Sequence, residues 1–382
     1  MRTVVSLRAI LILALFNTTS VRAGRVLLAL FALDLGASPV TIGLIAATFS
    51  AFPMVASWGA GRLADRYGAR WLLLLGALGG GAGLLVPFFA PGLPALFVAA
   101  AMNGLSFTFY NVSMQAQVGL LSAAENRAAN FGSLSLMLAV ATFFGPLIAG
   151  VSVDHAGHAR ACLVVAVLTL VPIAMLLARG AALPAGAPQV EAPGSLREVL
   201  TTPGLARLLL TGSLVVAGID LFQFYLPIYG HGVGLSATEI GVVLAMFSAA
   251  AVVVRAIMPR ILRRHRETTV LAAALWIGAG SLLLVPLFDS ALALGCIAFL
   301  FGLGMGCGQP ITMKLTFDGA LQGRAGEFVG VRISVNHLTR VVAPVVFGLI
   351  ASGFGLTVVF IVNALMLAGG SRFVLKRAGP KT

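Results

Sequence analysis

A handful of ionisable and polar side chains sit inside runs that are otherwise apolar, and any chemistry must come from them. One run carries Asn17, Arg22 and Arg25, the two arginines three apart and so on one helical face. A second carries Asp220, Gln223 and Tyr225, and a third carries Arg255. A fourth holds Arg332, Asn336, His337 and Arg340, and a fifth holds Asn103, Tyr110, Asn111 and Gln115 at roughly helical spacing. Buried guanidinium groups offer ion pairing with a carboxylate or capture of an anionic group on a solute. A buried carboxylate or imidazole offers uptake and release of a proton. Asp220 and His337 are the acid and the imidazole expected at depth, which makes them the expected proton-coupling groups; a hydrogen-bonded structural imidazole is the alternative for His337. Each such residue needs a reason, because an arginine at the centre of a bilayer costs about 2.5–3.5 kcal/mol on insertion scales.

The expected solute contacts are Arg22, Arg25, Asn111, Gln115, Gln223, Tyr225, Gln309 and Arg340. Arg332, near the end of its run, is expected to snorkel to the headgroups, whereas Arg255 and Arg340 lie deeper. Arginines outnumber the single deep acid, so the interior is expected to be electropositive and to favour an organic anion or a weakly acidic metabolite.

The elements that position these groups follow from composition. Hydrophobic residues make up 59% of the 382 and charged residues 10%, against roughly 25% charged in an ordinary soluble domain. The apolar runs reach about 20 residues, the length that crosses the hydrocarbon core as a helix. They predict helices over 7–33, 40–61, 71–90, 93–120, 127–151, 160–178, 203–230, 237–259, 267–288, 291–317, 327–352 and 355–377. Basic residues fill alternate breaks, such as Arg62, Arg66 and Arg70, or Arg260, Arg263, Arg264 and Arg266. The other breaks hold Asp34, Asp154, Glu239 and Asp289, with Arg160 their only basic residue. This asymmetry predicts an even number of crossings with both termini in the cytoplasm. The net charge of +13 is therefore topological, and nucleic-acid binding is not expected. Cys162, Cys296 and Cys307 are isolated, so neither a disulfide framework nor a zinc site is indicated; His155 and His158 are too sparse for a metal. The apolar run near the start continues from Ala9 past Asn17 to Leu33 and reads as an uncleaved first helix.

The chain also repeats itself at a constant offset of 198 positions. Gly36 and Ser38 fall on Gly234 and Ser236, Phe49-Ser50-Ala51 on Phe247-Ser248-Ala249, Gly104 on Gly302, Pro146 on Pro344, and Gly150 on Gly348. The expected organisation is a six-helix bundle over 1–178, a Pro/Gly/Ala-rich cytoplasmic linker over 179–202, and a second six-helix bundle over 203–382. The offset sets Asp220 against Arg22 and Gln223 against Arg25, so an exchangeable Arg22–Asp220 ion pair is expected, with a purely structural pair or arginines snorkelling outward to the periplasmic headgroups as the alternative. Glycines at 302, 304, 306 and 308 precede Gln309-Pro310 and predict close packing and a bend, not a phosphate loop.

Gly61-Arg62-Leu63-Ala64-Asp65-Arg66-Tyr67-Gly68-Ala69-Arg70 resembles the G-x-x-x-D-R-x-G-R-R loop signature of the major facilitator superfamily, with Ala69 in place of a basic residue. The resemblance covers nearly the whole chain. It implies an all-α membrane protein of twelve transmembrane helices in two pseudo-symmetric bundles. Gly61, Asp65, Arg66, Gly68 and Arg70 would then form a cytoplasmic gating motif, Asp65 capping a helix start and the arginines pairing across the gate. The second-half copy has Arg263 where Asp65 stands and cannot cap. Ala141–Gly150 is similar to the family's antiporter motif, with Ala141 and Ala149 in place of two glycines, and tips the expectation toward export. An acidic residue on the first helix, common in the family's exporters, is absent, which argues against cationic drugs. The resemblance thus implies a monomeric secondary transporter of the bacterial-type inner membrane, coupled to protons or another ion, without cofactor or enzymatic activity. The alternatives are an uptake symporter for a small metabolite, then a receptor or channel.

Overall fold

The computed structural model describes residues 7–67, 69–122, 127–179, 204–318 and 325–375. The helices are α1 (Leu7–Asp34), α2 (Pro39–Tyr67), α3 (Ala69–Phe89), α4 (Leu93–Leu121), α5 (Arg127–Ala156), α6 (His158–Val167) and α7 (Leu170–Arg179). They continue as α8 (Leu205–Gly232), α9 (Ala237–Arg264), α10 (Glu267–Leu284), α11 (Ala291–Met305), α12 (Gly308–Asp318), α13 (Ala325–Phe354) and α14 (Leu356–Leu375). No strand occurs among the described residues. Eleven helical stretches among them are long and apolar enough to span a bilayer, and Pro39–Met54 adds a shorter apolar helix. Trp71, Leu75, Phe89, Leu292 and Leu365 are exposed, the surface expected where lipid is the solvent.

Three expectations about boundaries are corrected. The segment expected as a loop between the second and third helices continues α2 to Tyr67, and α3 resumes at Ala69, so most of the motif is helical. The expected helix over 160–178 is α6 and α7 joined by a turn at Leu168-Thr169, where Thr169 Oγ1 donates to Ala166 O at 2.7 Å and competes with the helical ladder. The expected helix over 291–317 is α11 and α12, interrupted at Gly306-Cys307. The linker over 179–202 falls almost wholly outside the described residues.

The chain divides into two compact units, the first Met1–Gln189 with Ser236–Ala245, the second Val190–Leu235 with Met246–Thr382. The first is built around Ile10, Leu13, Leu73, Ala77, Met114 and Val118. The second is built around the rings of Phe222, Phe247 and Phe301, with Phe222 and Phe301 centroids 4.3 Å apart.

The 198-residue repeat reappears as repeated backbone geometry. α1 ends with Gly36 at φ 73°, its N–H donating to Leu33 O, and the Ala37 N–H reaching Ala32 O. α8 ends identically, with Gly234 at φ 87° bonded to His231 O, and Leu235 N–H to Gly230 O. Both are Schellman closures, which need a left-handed residue that only glycine supplies without strain. Ser38 Oγ then accepts from Thr41 N–H and Ser236 Oγ from Glu239 N–H, each at 3.2 Å, capping the next helix. A Cβ on Gly104 would lie 2.2 Å from Phe49 O, and one on Gly302 would lie 2.4 Å from Phe247 O. Each unit therefore contains one backbone-to-backbone helix crossing at the same repeat position, made possible by glycine.

The break between α11 and α12 has a definite cause. In a continuous helix Gly306 O would accept from the N–H of residue 310, but Pro310 has none. Arg255 Nε on α9 donates to Gly306 O instead, at 3.0 Å. Arg255→Leu is expected to orphan that carbonyl and destabilise the protein by about 1–3 kcal/mol. Pro310→Ala should restore part of the loss by returning the helical donor, which thermal melting of the single and double variants will measure.

Candidate functional site

The second unit contains the ion pair on which the site is built. Arg340 Nε on α13 donates to Asp220 Oδ2 on α8 at 2.8 Å, and Asp220 is 8% exposed. Eight residues N-terminal on α13, a rise of about 12 Å, lies Arg332. The two helices are held in register by Tyr225, which is fully buried and whose hydroxyl donates to Pro344 O at 2.9 Å. Tyr225, expected to contact solute, is thus committed to fixing α8 against α13. His337 is half-buried one turn before Arg340, with Nδ1 buried and without a hydrogen-bond partner. Asn363 on α14 donates to Gly218 O at 3.4 Å, bracing α8 against α14. A carboxylate and a guanidinium taken out of water together must be well aligned to offset their lost hydration. Such a pair opens readily once one member is neutralised.

Arg332 does not snorkel. It is 4% exposed, with Nη2 donating to Thr312 Oγ1 at 2.9 Å and Gln309 Oε1 at 3.4 Å, and Nη1 to Met313 Sδ at 3.1 Å. The break before Gly308, where the glycine run and Pro310 predicted a bend, turns α12 so that its polar residues meet α13. Gln309, an expected solute contact, is half-buried and serves as an acceptor for Arg332. Gln223 is half-buried on α8.

In the first unit Arg22 and Arg25 are both half-buried on α1. The Arg22 guanidinium stands 5.6 Å from the Phe107 ring centroid, a cation–π contact with α4. A Cβ on Gly145 would come within 2.6 Å of Arg22 Cβ, so α5 packs directly against this part of α1. Close by, a small cavity of about 10 Å³ is lined by Thr18, Phe107, Tyr110, Asn111, Met114 and Leu138, among others. Tyr110 is buried and its hydroxyl is unbonded; the Asn17 carboxamide is 1% exposed with neither end bonded. Asn111 is half-buried and accepts from Gln115 Nε2 at 3.0 Å, while Gln115 itself is exposed.

The gating residues are only partly visible. Gly61, Asp65 and Arg66 belong to the last turns of α2, their side chains outside the described residues, as is Gly68 altogether. Arg70 opens α3, half-buried, with its guanidinium 5.6 Å from the Trp71 ring centroid.

Sequence reasoning missed Asp154. Its carboxylate, at the end of α5, accepts from the first two backbone N–H groups of α9, Ala237 at 3.0 Å and Thr238 at 2.7 Å. Glu239 Oε2 accepts from Ser236 N–H at 2.8 Å and, with Ser236 capping Glu239, closes a reciprocal capping box. Gly150 and Gly241 allow the approach, since a Cβ on either would fall 2.2–2.5 Å from a carbonyl of the facing helix. Ser-x-x-Glu at 236–239 was the available signal for the cap, but nothing local names its distant carboxylate. Asp154→Ala is expected to cost about 1–2 kcal/mol, as other helix caps do, and Asp154→Asn less, read by thermal melting.

The family model for the Major Facilitator Superfamily matches residues 10–344. Among curated proteins, the human "Solute carrier family 67 member A1" is 24% identical over 85% of this chain and 81% of its own length. The "Tetracycline resistance protein, class H" of Pasteurella multocida is 22% identical over 81% and 79%, and the "Multidrug resistance protein MdtG" of Klebsiella pneumoniae 23% over 84% and 80%. Among solved structures, the nucleoside transporter NupG aligns with a TM-score of 0.84 at 11% identity over 97% of this chain and 99% of its own. A POT family transporter in complex with a thioalcohol-conjugated peptide aligns at 0.81, with 14% identity over 97% and 96%. At such identities these two speak for the fold alone.

Proposed function

Because the chain belongs to the Major Facilitator Superfamily, we propose that it is a monomeric, proton-coupled secondary transporter of an organic anion or weakly acidic metabolite, working by alternating access in the cytoplasmic membrane with both termini inside the cell. The observation that carries this reading is the buried Asp220–Arg340 pair. While ionised, Asp220 occupies Arg340. Once protonated, it releases a guanidinium at depth, and an anionic group on the solute then takes the carboxylate's place. Arg22 and Arg25 supply further positive charge, Gln223 and Asn111 supply hydrogen bonds, and His337 is a second titratable group beside Arg340. Asp65, Arg66 and Arg70 serve the cytoplasmic gate.

The sign of the solute decides the direction. An anion that displaces Asp220 binds together with a proton, so the inward proton gradient drives uptake. A solute cation that binds Asp220 excludes the proton, which gives exchange and export. The electropositive interior supports the first. The partial antiporter motif and the relatives named for tetracycline and multidrug resistance support the second.

Proteoliposomes loaded with a pH-sensitive dye distinguish the two when offered carboxylates and sulfonates that do not cross protein-free vesicles. Lumen acidification on saturable solute entry is the expected result. Alkalinisation would establish exchange, and solute entry without a pH change would sink proton coupling.

A further inference from the structure

We propose that Arg332 is the centre of a second anion-binding site, separate from the Asp220–Arg340 pair, that takes a carboxylate or a comparable small oxyanion. Arg332 is 4% exposed, so its cation is not carried by water. Among the described residues no carboxylate reaches it; its acceptors are the Thr312 hydroxyl, the Gln309 amide oxygen and the Met313 thioether, all neutral. Sulfur is the weakest acceptor in that set. Nε is buried without an acceptor. It faces Gly212, where an added Cβ would stand 3.5 Å away. The nearby acid Glu267 is committed to Lys314. Residues that serve only to pack are seldom left as buried, uncompensated charges, because removing a cation from water is costly unless an anion accompanies it.

A second observation gives the site an approach. Thr312 also lines a small cleft of about 20 Å³ whose wall includes Arg207, Thr211 and Thr268. Arg207 extends over the Phe373 ring, 5.1 Å from its centroid, and is exposed. The cleft thus sets the exposed Arg207 cation and Thr268 beside Thr312, the residue that holds Arg332. A planar guanidinium whose N–H groups rest on a thioether and a long amide contact can exchange both for the two oxygens of a carboxylate. This inference deepens the proposed transport of anions, and it rests on that reading for the identity of the natural ligand. The site then holds an anion about two helical turns from Arg340 on α13, a staging position along the same helix.

The test uses the full-length protein purified in detergent and reads thermal melting against sodium benzoate and, separately, sodium phosphate at matched ionic strength. Wild type is expected to melt higher with saturable dependence on at least one of them; benzoate alone marks a carboxylate site and phosphate alone an oxyanion site. Met313→Glu, close in length, places an internal carboxylate against Nη1. It should melt higher than wild type without added anion, and its half-saturating concentration should rise about tenfold or more, equivalent to about 1.4 kcal/mol. Arg332→Gln should lose the saturable response that Met313→Glu weakens. Equal responses in wild type and Met313→Glu would overturn the proposal, as would no response in wild type. Should Arg332→Gln fail to fold, Met313→Glu decides alone. Because melting reads binding without transport, a failure of proton coupling in vesicles leaves this result standing, and the reverse also holds.

Discussion

Asp220→Asn protein should exchange solute across a membrane at near wild-type rates while losing all accumulation driven by a pH gradient. The asparagine is close in shape to a protonated aspartic acid, so it holds Arg340 permanently in the state that the proton creates. Arg340, no longer facing a carboxylate, stays ready for the anion, and the loaded protein can still reorient. What disappears is the dependence of anion binding on proton binding, because no group at the pair titrates. The measurement is a comparison in proteoliposomes of counterflow, with solute on both sides and no gradient, against uptake under an imposed pH gradient. Loss of both activities would make Asp220 a structural or solute-binding residue. Retention of both would remove it from coupling and turn attention to His337, whose His337→Gln variant is then the next to compare.

Arg340→Met is expected to destabilise the protein by about 3 kcal/mol and to abolish transport, since it leaves Asp220 at 8% exposure without the guanidinium now bonded at 2.8 Å. The double variant Asp220→Leu/Arg340→Met should recover most of the stability, because two apolar side chains need no hydration to be replaced. It should not recover transport. That split between melting temperature and activity separates a functional pair from one retained for folding. If the double variant transports like wild type, the pair has no part in the mechanism. If Arg340→Met melts like wild type, the carboxylate is accommodated by other means and the electrostatic argument fails.

Several features were readable from the order of residues. Apolar length and alternating charge follow directly from the cost of placing polar groups in hydrocarbon, so the helical membrane fold could be read without coordinates. The repeat could be read for a different reason. Gly36 and Gly234 terminate helices through a left-handed backbone, and Gly104 and Gly302 lie against carbonyls at distances no Cβ tolerates. Positions where only one residue type fits leave a mark in the sequence that survives the divergence of two halves.

Partnership between distant charges leaves no such mark. Nothing local to either residue names the bond between Asp220 and Arg340, 120 residues apart. Arg332 looked like a headgroup-seeking side chain because its place along the helix was all that could be judged; the break at Gly306-Cys307, which turns Thr312 and Gln309 toward it, buries it. Tyr225 looked available until its hydroxyl was found on Pro344 O. That a few arginines, one aspartate and one histidine must be accommodated at depth was set by composition and hydropathy, because solvation energy is local. Which arginine answers which carboxylate was decided only by tertiary packing, because a side chain's partner depends on helix rotation and on breaks that act across more than a hundred residues.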